Sequence, residues 1–495
     1  MLETIIIFYS IYTFMKLYIS IMQIGYINEE KRKTPVLMSA DKYLTAGNYA
    51  VANGKLSLVT TFVDYLVFIW WVFAGFTWLS SIVQVDGSIM QAVVFLFGFI
   101  IVNYVIGLPF ELYQKFKIDE DFGFNKMTAK MYVIDMLKSS LLFFMLGGAV
   151  FALLSWIIDS YETWWIWGFA AMFTVAILAN LLAPTFMALF NKFSPLEEGE
   201  LKEKITAMMN QAGLKSDGIF VMDASKRDSR LNAFFGGLGK SKRVVLFDTL
   251  LEKLNTKELL AVLGHELGHF SHGDIWKNIG LMGVLLFIAF YLFGHLPDAL
   301  FTQMGVIPEA GVQIAMLMLL LPLVSFVFTP FMSYVSRHNE YAADEYGSQM
   351  GGKENLVSAL MKLVTENKAF PKSHPLVIFF YYTHPPVLER LKELGFDSSH
   401  TIVCEEVNLP EDFDNAVSNN NVDYNKPLVI VENTPEIHTN VPRNNVPTSS
   451  VPISNERMNN IQMNNTQMNT LHNTTTTVPY GCLKGGNKPT YREYH

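Results

Sequence analysis

Residues 259–273 read L-L-A-V-L-G-H-E-L-G-H-F-S-H-G, and within them His265, Glu266 and His269 form the pattern H-E-x-x-H. On a helix the two histidines lie four residues apart on one face, so both imidazoles reach one metal ion, and Glu266 sits about 100° around beside them. The pattern predicts a zinc site with its own general base. Zinc in a hydrolase takes three protein ligands and keeps one position open, so a third ligand must come from elsewhere. Cys404 and Cys482, the two cysteines of the chain, have no second cysteine at ligand spacing. That leaves His and carboxylate. The candidate third ligand is Glu340 in R-H-N-E-Y-A-A-D. Asp344 follows one turn later on the same helical face, where it could accept a hydrogen bond from a ligating histidine and fix its tautomer. A solvated face, or an ion pair with Arg337 at i,i+3, is the competing reading of Glu340. His272 and His338 are read as structural or exposed, because the ligand set is complete without them.

Two further constellations could serve the same chemistry. In T-H-P-P-V-L-E-R, His384 and Arg390 are donor and cationic groups of the kind a hydrolase places near a developing oxyanion. The competing reading is turn chemistry at His-Pro-Pro, with Arg390 capping or pairing. In N-A-F-F-G-G, Asn232, Ala233 and Phe234 open an extended apolar run whose exposed edge could bind a peptide by strand addition. An ordinary hairpin explains that run equally well.

These residues need elements to hold them, and the composition says which. Of 495 residues, 51% are hydrophobic and 14% aromatic, with a mean hydropathy of +0.25, which is too apolar for a soluble enzyme of this size. A net charge of -8 argues against nucleic acid as a partner. Apolar stretches of about 20 residues, the length that spans a bilayer, fall at 5–24, 58–83, 90–112, 131–158, 164–190, 279–296 and 312–335. The first lacks a basic leader and a small-residue cleavage site, so it is read as a span. The expected fold is therefore predominantly α, a polytopic membrane protein with seven transmembrane helices. Lys31, Arg32, Lys33 and Lys42 follow span one, and Lys115, Lys117, Lys126 and Lys130 follow span three. The positive-inside rule puts the odd-numbered loops and the C-terminal tail on the cytoplasmic side.

The resulting division is spans one to five in 1–190, a soluble metalloprotease insert with the H-E-x-x-H helix in 191–278, spans six and seven in 279–336, a helical region with the third ligand in 337–407, and a tail in 408–495. The insert reads as a helix over 198–212, strands over 218–222 and 243–247, and a helix opened by Thr256 with Glu258 in its first turn. The tail is rich in Asn, Thr, Pro and Met and is expected to be disordered. Its Asn464 and Asn473 match glycosylation acceptors that a cytoplasmic tail would leave unmodified. Lys484, Lys488 and Arg492 read as a solvated end or a short docking motif, with an unknown partner.

With these residues in view, the chain resembles the type I CAAX prenyl proteases, integral-membrane zinc metalloproteases. The resemblance runs from about residue 30 to residue 396. It rests on R-K-T-P-V-L-M-S-A-D-K-Y, L-P-F-E-L-Y, D-F-G-F-N-K-M-T, F-N-K-F-S-P-L-E-E-G-E-L-K, N-A-F-F-G-G, K-S-K-R-V-V-L-F-D-T-L-L, H-E-L-G-H, S-R-H-N-E-Y-A-A-D and T-H-P-P-V-L-E-R. It implies seven helices enclosing an intramembrane chamber, with a zincin-like metalloprotease domain. It also implies one zinc ion per chain on His265, His269 and Glu340, Glu266 as catalytic base, and His384 and Arg390 at substrate and oxyanion positions. Asn232 and Ala233 fall on the strand lining the cleft. The implied substrates are prenylated CAAX proteins that lose their last three residues, met within membrane lipid. The implied location is the endoplasmic reticulum membrane with catalytic loops in the cytosol, or the inner membrane of a bacterium. The tail has no counterpart in the family pattern. Two other readings stand beside this one: a membrane quality-control metalloprotease, which the seven spans disfavour, and a non-enzymatic scaffold, which would require a degraded metal site.

Overall fold

The computed structural model describes residues 1–83, 87–213, 218–236 and 243–396, together with the backbone of 428–432 and 474–478. Seven helices are long and apolar enough to cross a membrane: α1 (Leu2–Glu30), α2 (Ala40–Val83), α3 (Ile89–Asp121), α4 (Ala129–Ser160), α5 (Trp164–Met187), and, after the insert, α9 (Asp274–Gly294) and α11 (Ala310–Gly351). Hydroxyl caps start two of them: Ser88 Oγ accepts from Gln91 N, and Thr128 Oγ1 from Met131 N. Large apolar side chains such as Phe14, Phe73, Leu137 and Val327 stay exposed, as a lipid-facing surface requires. Inside, Phe68, Trp71, Phe76, Phe95 and Phe301 build an aromatic core, with the Tyr9 ring stacked on Phe68 at 3.7 Å. A cavity of about 550 Å³ lies among the helices, with Lys16, Asp64, Tyr65 and Asn103 set into a mostly apolar lining.

Between α5 and α9 the chain forms β1 (Phe193–Pro195), α6 (Glu200–Gln211), β2 (Ile219–Met222), β3 (Ala233–Gly236), β4 (Arg243–Phe247), α7 (Asp248–Lys253) and α8 (Thr256–Ser271). The sheet order is β1-β2-β4-β3. Strands β2 and β4 are parallel, and β3 runs antiparallel to β4 with Ala233 opposite Leu246. The remaining helices are α10 (Asp298–Gln303), α12 (Lys353–Glu366), α13 (Pro375–Tyr381) and α14 (Val387–Glu393).

Two features go beyond the sequence reading. Helix α8 opens at Thr256 as expected, and Asn255 caps it: the Asn255 side chain accepts from Lys257 N and Glu258 N, and Glu258 accepts from Asn255 N at 2.9 Å. This capping box contributes roughly 1 kcal/mol. Span seven does not stop at 335, because α11 runs unbroken for 42 residues to Gly351 and carries Glu340 and Asp344 on its own last turns. The boundary drawn at 336/337 falls inside that helix. The expectation of an unstructured tail falls outside the described residues, apart from β5 (Leu428–Glu432), which pairs antiparallel with β6 (Thr474–Val478). Both segments are runs of β-branched residues, which favour strands. The glycosylation acceptors, Cys404, Cys482 and the basic end at Lys484, Lys488 and Arg492 lie outside the described residues, apart from backbone at Thr474–Val478.

Candidate metal centre

Helix α8 is buried along Leu259, Leu263 and Leu267 against the sheet and α12, which turns its histidine face toward α11. The two helix backbones touch because glycines stand at the crossing. A Cβ at Gly268 would lie 2.9 Å from Ala343 Cα, and one at Gly347 would lie 2.8 Å from His265 N. This approach inserts Glu340 between the histidines: its Oε1 is 3.2 Å from His269 Nε2 and its Oε2 is 3.5 Å from His265 Nε2. One ligand atom from each of the three residues lies within 4.8 Å of the others.

Each imidazole is fixed through its other nitrogen. His265 Nδ1 meets Asp344 Oδ1 at 2.8 Å, and His269 Nδ1 meets Asp274 Oδ2 at 2.8 Å. With each Nδ1 paired to a carboxylate, both Nε2 atoms face Glu340. Glu340 Oε2 is buried and has no hydrogen-bond partner, an arrangement a bound cation would satisfy. Burial opposes a charge on His265, but Asp344 and Glu340 outweigh it and push the imidazole up to about 9. The surrounding carboxylates call for positive charge at this point. The donor set of two imidazoles and a carboxylate fits zinc.

Glu266 makes no side-chain hydrogen bond among the described residues. Burial pushes its carboxyl up, with His265 and His269 opposing, and a raised carboxyl is better matched to proton transfer near neutral pH. Arg390 is buried, and its Nε and Nη2 hold Asp344 at 2.7 and 2.6 Å, with Nη1 3.5 Å from Glu340 Oε2. His384 reaches Glu340 Oε1 with its Nε2 at 3.2 Å, while its Nδ1 is 3.0 Å from Thr383 Oγ1. Its side chain is 63% exposed and lines a recess, whose partial burial pushes its pKa down. That recess, about 480 Å³, is walled by Leu360, Val364, Phe370, Tyr381 and Val387.

The structure therefore brings His265, Glu266, His269, Glu340, Asp344, His384 and Arg390 into one cluster. Asn232, Ala233 and Phe234 lie at the sheet edge and make no hydrogen bond to this cluster among the described residues: Asn232 Oδ1 accepts from Ala233 N, and Phe247 N donates to Asn232 O. Strand β3 packs on α8 and α5. The ion pair considered between Arg337 and Glu340 does not form. Arg337 Nη1 instead donates to Ile378 O and Tyr382 O, both at 2.7 Å, holding the loop that leads to His384. His272 packs edge-on against Tyr346, outside the ligand cluster. Sequence reasoning missed Asp274, which also accepts from Lys277 Nζ at 2.7 Å while Lys277 reaches Asn339 Oδ1 at 3.1 Å. The available signal was an acidic residue opening a helix directly after Gly273, whose φ of 69° turns the chain back onto His269.

Residues 26–192 match the family model described as CAAX prenyl protease N-terminal, five membrane helices, and residues 195–395 match Peptidase family M48. CAAX prenyl protease 1 of Saccharomyces cerevisiae is 33% identical over 410 residues, covering 74% of this chain and 90% of the yeast protein. The CAAX prenyl protease 1 homolog of Homo sapiens is 31% identical, covering 72% and 83%. The crystal structure of S. mikatae Ste24p superposes with a TM-score of 0.71 at 32% identity, covering 79% of this chain and 98% of that one. Two family models across 26–395, whole-length relatives and a shared fold lead to one conclusion: the chain is a multi-pass membrane protein that belongs to the CAAX prenyl protease 1 family of M48 metallopeptidases.

Proposed function

We propose that this protein is a zinc-dependent endopeptidase that releases the C-terminal tripeptide from prenylated CAAX proteins. The observation that carries the reading is Glu340 set between two histidines whose outer nitrogens are locked by Asp344 and Asp274, with one buried carboxylate oxygen that accepts no hydrogen bond. The names of the yeast and human relatives supply the substrate class. His265, His269 and Glu340 would hold one zinc ion, which when bound supplies Lewis acidity toward a water and the scissile carbonyl. Glu266 takes the proton of the attacking water and delivers it to the leaving amine. His384, facing Glu340 with its Nε2, donates a hydrogen bond to the carbonyl oxygen as charge develops there. Arg390 acts behind it, holding Asp344 and Glu340 in place, since two of its donors are already engaged. Asn232, Ala233 and Phe234 offer the substrate a strand edge.

The apolar recess beside His384 suits aliphatic side chains, and the helices would enclose the prenyl chain within membrane lipid, at about 0.8 kcal/mol per buried CH₂. The lysine-rich first and third loops support a cytosolic catalytic face, in the endoplasmic reticulum membrane. Tripeptide release from one CAAX peptide, compared with and without its farnesyl group, tests the reading: release should depend on the prenyl group, and equal rates would contradict it.

A further inference from the structure

Arg230 stands three residues before β3, on the segment that leads into the cleft strand, and it is gripped from elements far away in sequence. Its Nη2 donates to Asp119 Oδ1 at 2.7 Å and to Tyr49 Oη at 2.6 Å, and its Nη1 pairs with Asp228. The guanidinium lies 4.1 Å over the ring of Phe124. Asp119 is buried and also accepts from Tyr49 Oη and Gln114 Nε2. Asp119 lies on the last turn of α3 and Tyr49 on α2, so the contact ties the protease sheet to the membrane helices.

The next residues are held as firmly. Thr249 Oγ1 donates to Arg230 O at 2.9 Å, and the Asn367 side chain satisfies both Leu231 N, at 2.8 Å, and Leu231 O, at 3.1 Å. Strand β3 then pairs with β4 on one side and has no strand on its other side among the described residues. A one-residue slip in a strand reverses every side chain and shifts the backbone donors an incoming peptide would meet. An edge strand that receives a peptide therefore needs its register pinned from outside the sheet.

We infer that Arg230 is a positioning residue that fixes the register of β3 for substrate by anchoring it to Asp119 and Tyr49. The inference rests on the reading of β3 as the strand edge that receives substrate. It makes recognition of the chain upstream of the cleaved bond depend on a contact with the membrane helices. Chemistry at the metal centre does not pass through Arg230.

The test uses full-length protein in detergent and two farnesylated CAAX peptides, one beginning at the cysteine and one with about six residues upstream, enough to pair with a strand of this length. Wild type should show a lower KM for the long peptide. Arg230→Gln should raise KM for the long peptide roughly tenfold, as expected for loss of charge-assisted hydrogen bonds, while the short peptide and kcat change little. Asp119→Asn should act in the same direction, and Arg230→Lys should recover part of the loss. Equal losses on both peptides would assign Arg230 a purely structural role and overturn the inference, as would an unchanged preference for the long peptide. A wild-type enzyme indifferent to upstream length would instead overturn the strand-edge reading itself, and this inference with it.

Discussion

The guanidinium of Arg390 grips the carboxylate of Asp344 with two hydrogen bonds, Nε to Oδ2 at 2.7 Å and Nη2 to Oδ1 at 2.6 Å. The same Oδ1 lies 2.8 Å from His265 Nδ1, so Arg390 acts on the metal centre through a chain of contacts. Arg390→Ala should cost about 3–5 kcal/mol of stability, because it leaves a buried carboxylate unpaired. It should also weaken zinc binding. Thermal unfolding and chelator competition check both. A variant that keeps its stability and its zinc but loses turnover would return Arg390 to the oxyanion role.

Asp274 holds His269 as Asp344 holds His265. Asp274→Asn should lower zinc affinity by about 10- to 100-fold, the usual cost of removing a partner that orients a ligating histidine. Competition with a zinc chelator measures it directly. Unchanged affinity would mean that His269 is held by packing alone.

Much of this centre was legible in the sequence because it follows helical period. His265 and His269 are one turn apart, Glu340 and Asp344 are one turn apart, and each pair shares a face. The spans were legible from length and apolarity. The start of α8 at Thr256 was legible too, and the Asn255–Glu258 capping box that precedes it is written locally. What sequence could not reveal depends on close approach between distant segments. Gly347 against His265 is visible only when two helices cross, and Arg230 has no local signature because Asp119 and Tyr49 lie 111 and 181 residues away. The continuity of α11 was hidden by the change from apolar to polar residues near Arg337, which alters the environment of a helix without ending it.

Glu258 gives the pH dependence a definite sign. Burial raises its carboxyl, but Lys362, Ser358 and the Asn255 N–H outweigh burial and hold it below the ordinary range. A carboxyl lowered by folding contributes stability that is fully present above its unfolded value, about 4.3, and is lost as pH falls through the folded value. Glu258→Gln should therefore unfold at lower temperature than wild type near neutral pH, by an amount corresponding to about 1 kcal/mol or more. The two proteins should converge in acid. A gap that persists unchanged at low pH would show that the Glu258 charge is not what holds the start of α8.

Under the proposed mechanism, Glu266 moves the proton at a metal site it does not hold. The most direct measurement is tripeptide release from a farnesylated CAAX peptide by purified wild type and Glu266→Gln, with zinc content determined on the same samples by elemental analysis. The account predicts about one zinc per chain in both proteins, with turnover in the variant reduced by at least roughly 10²-fold. Full activity in Glu266→Gln with its zinc in place would contradict it.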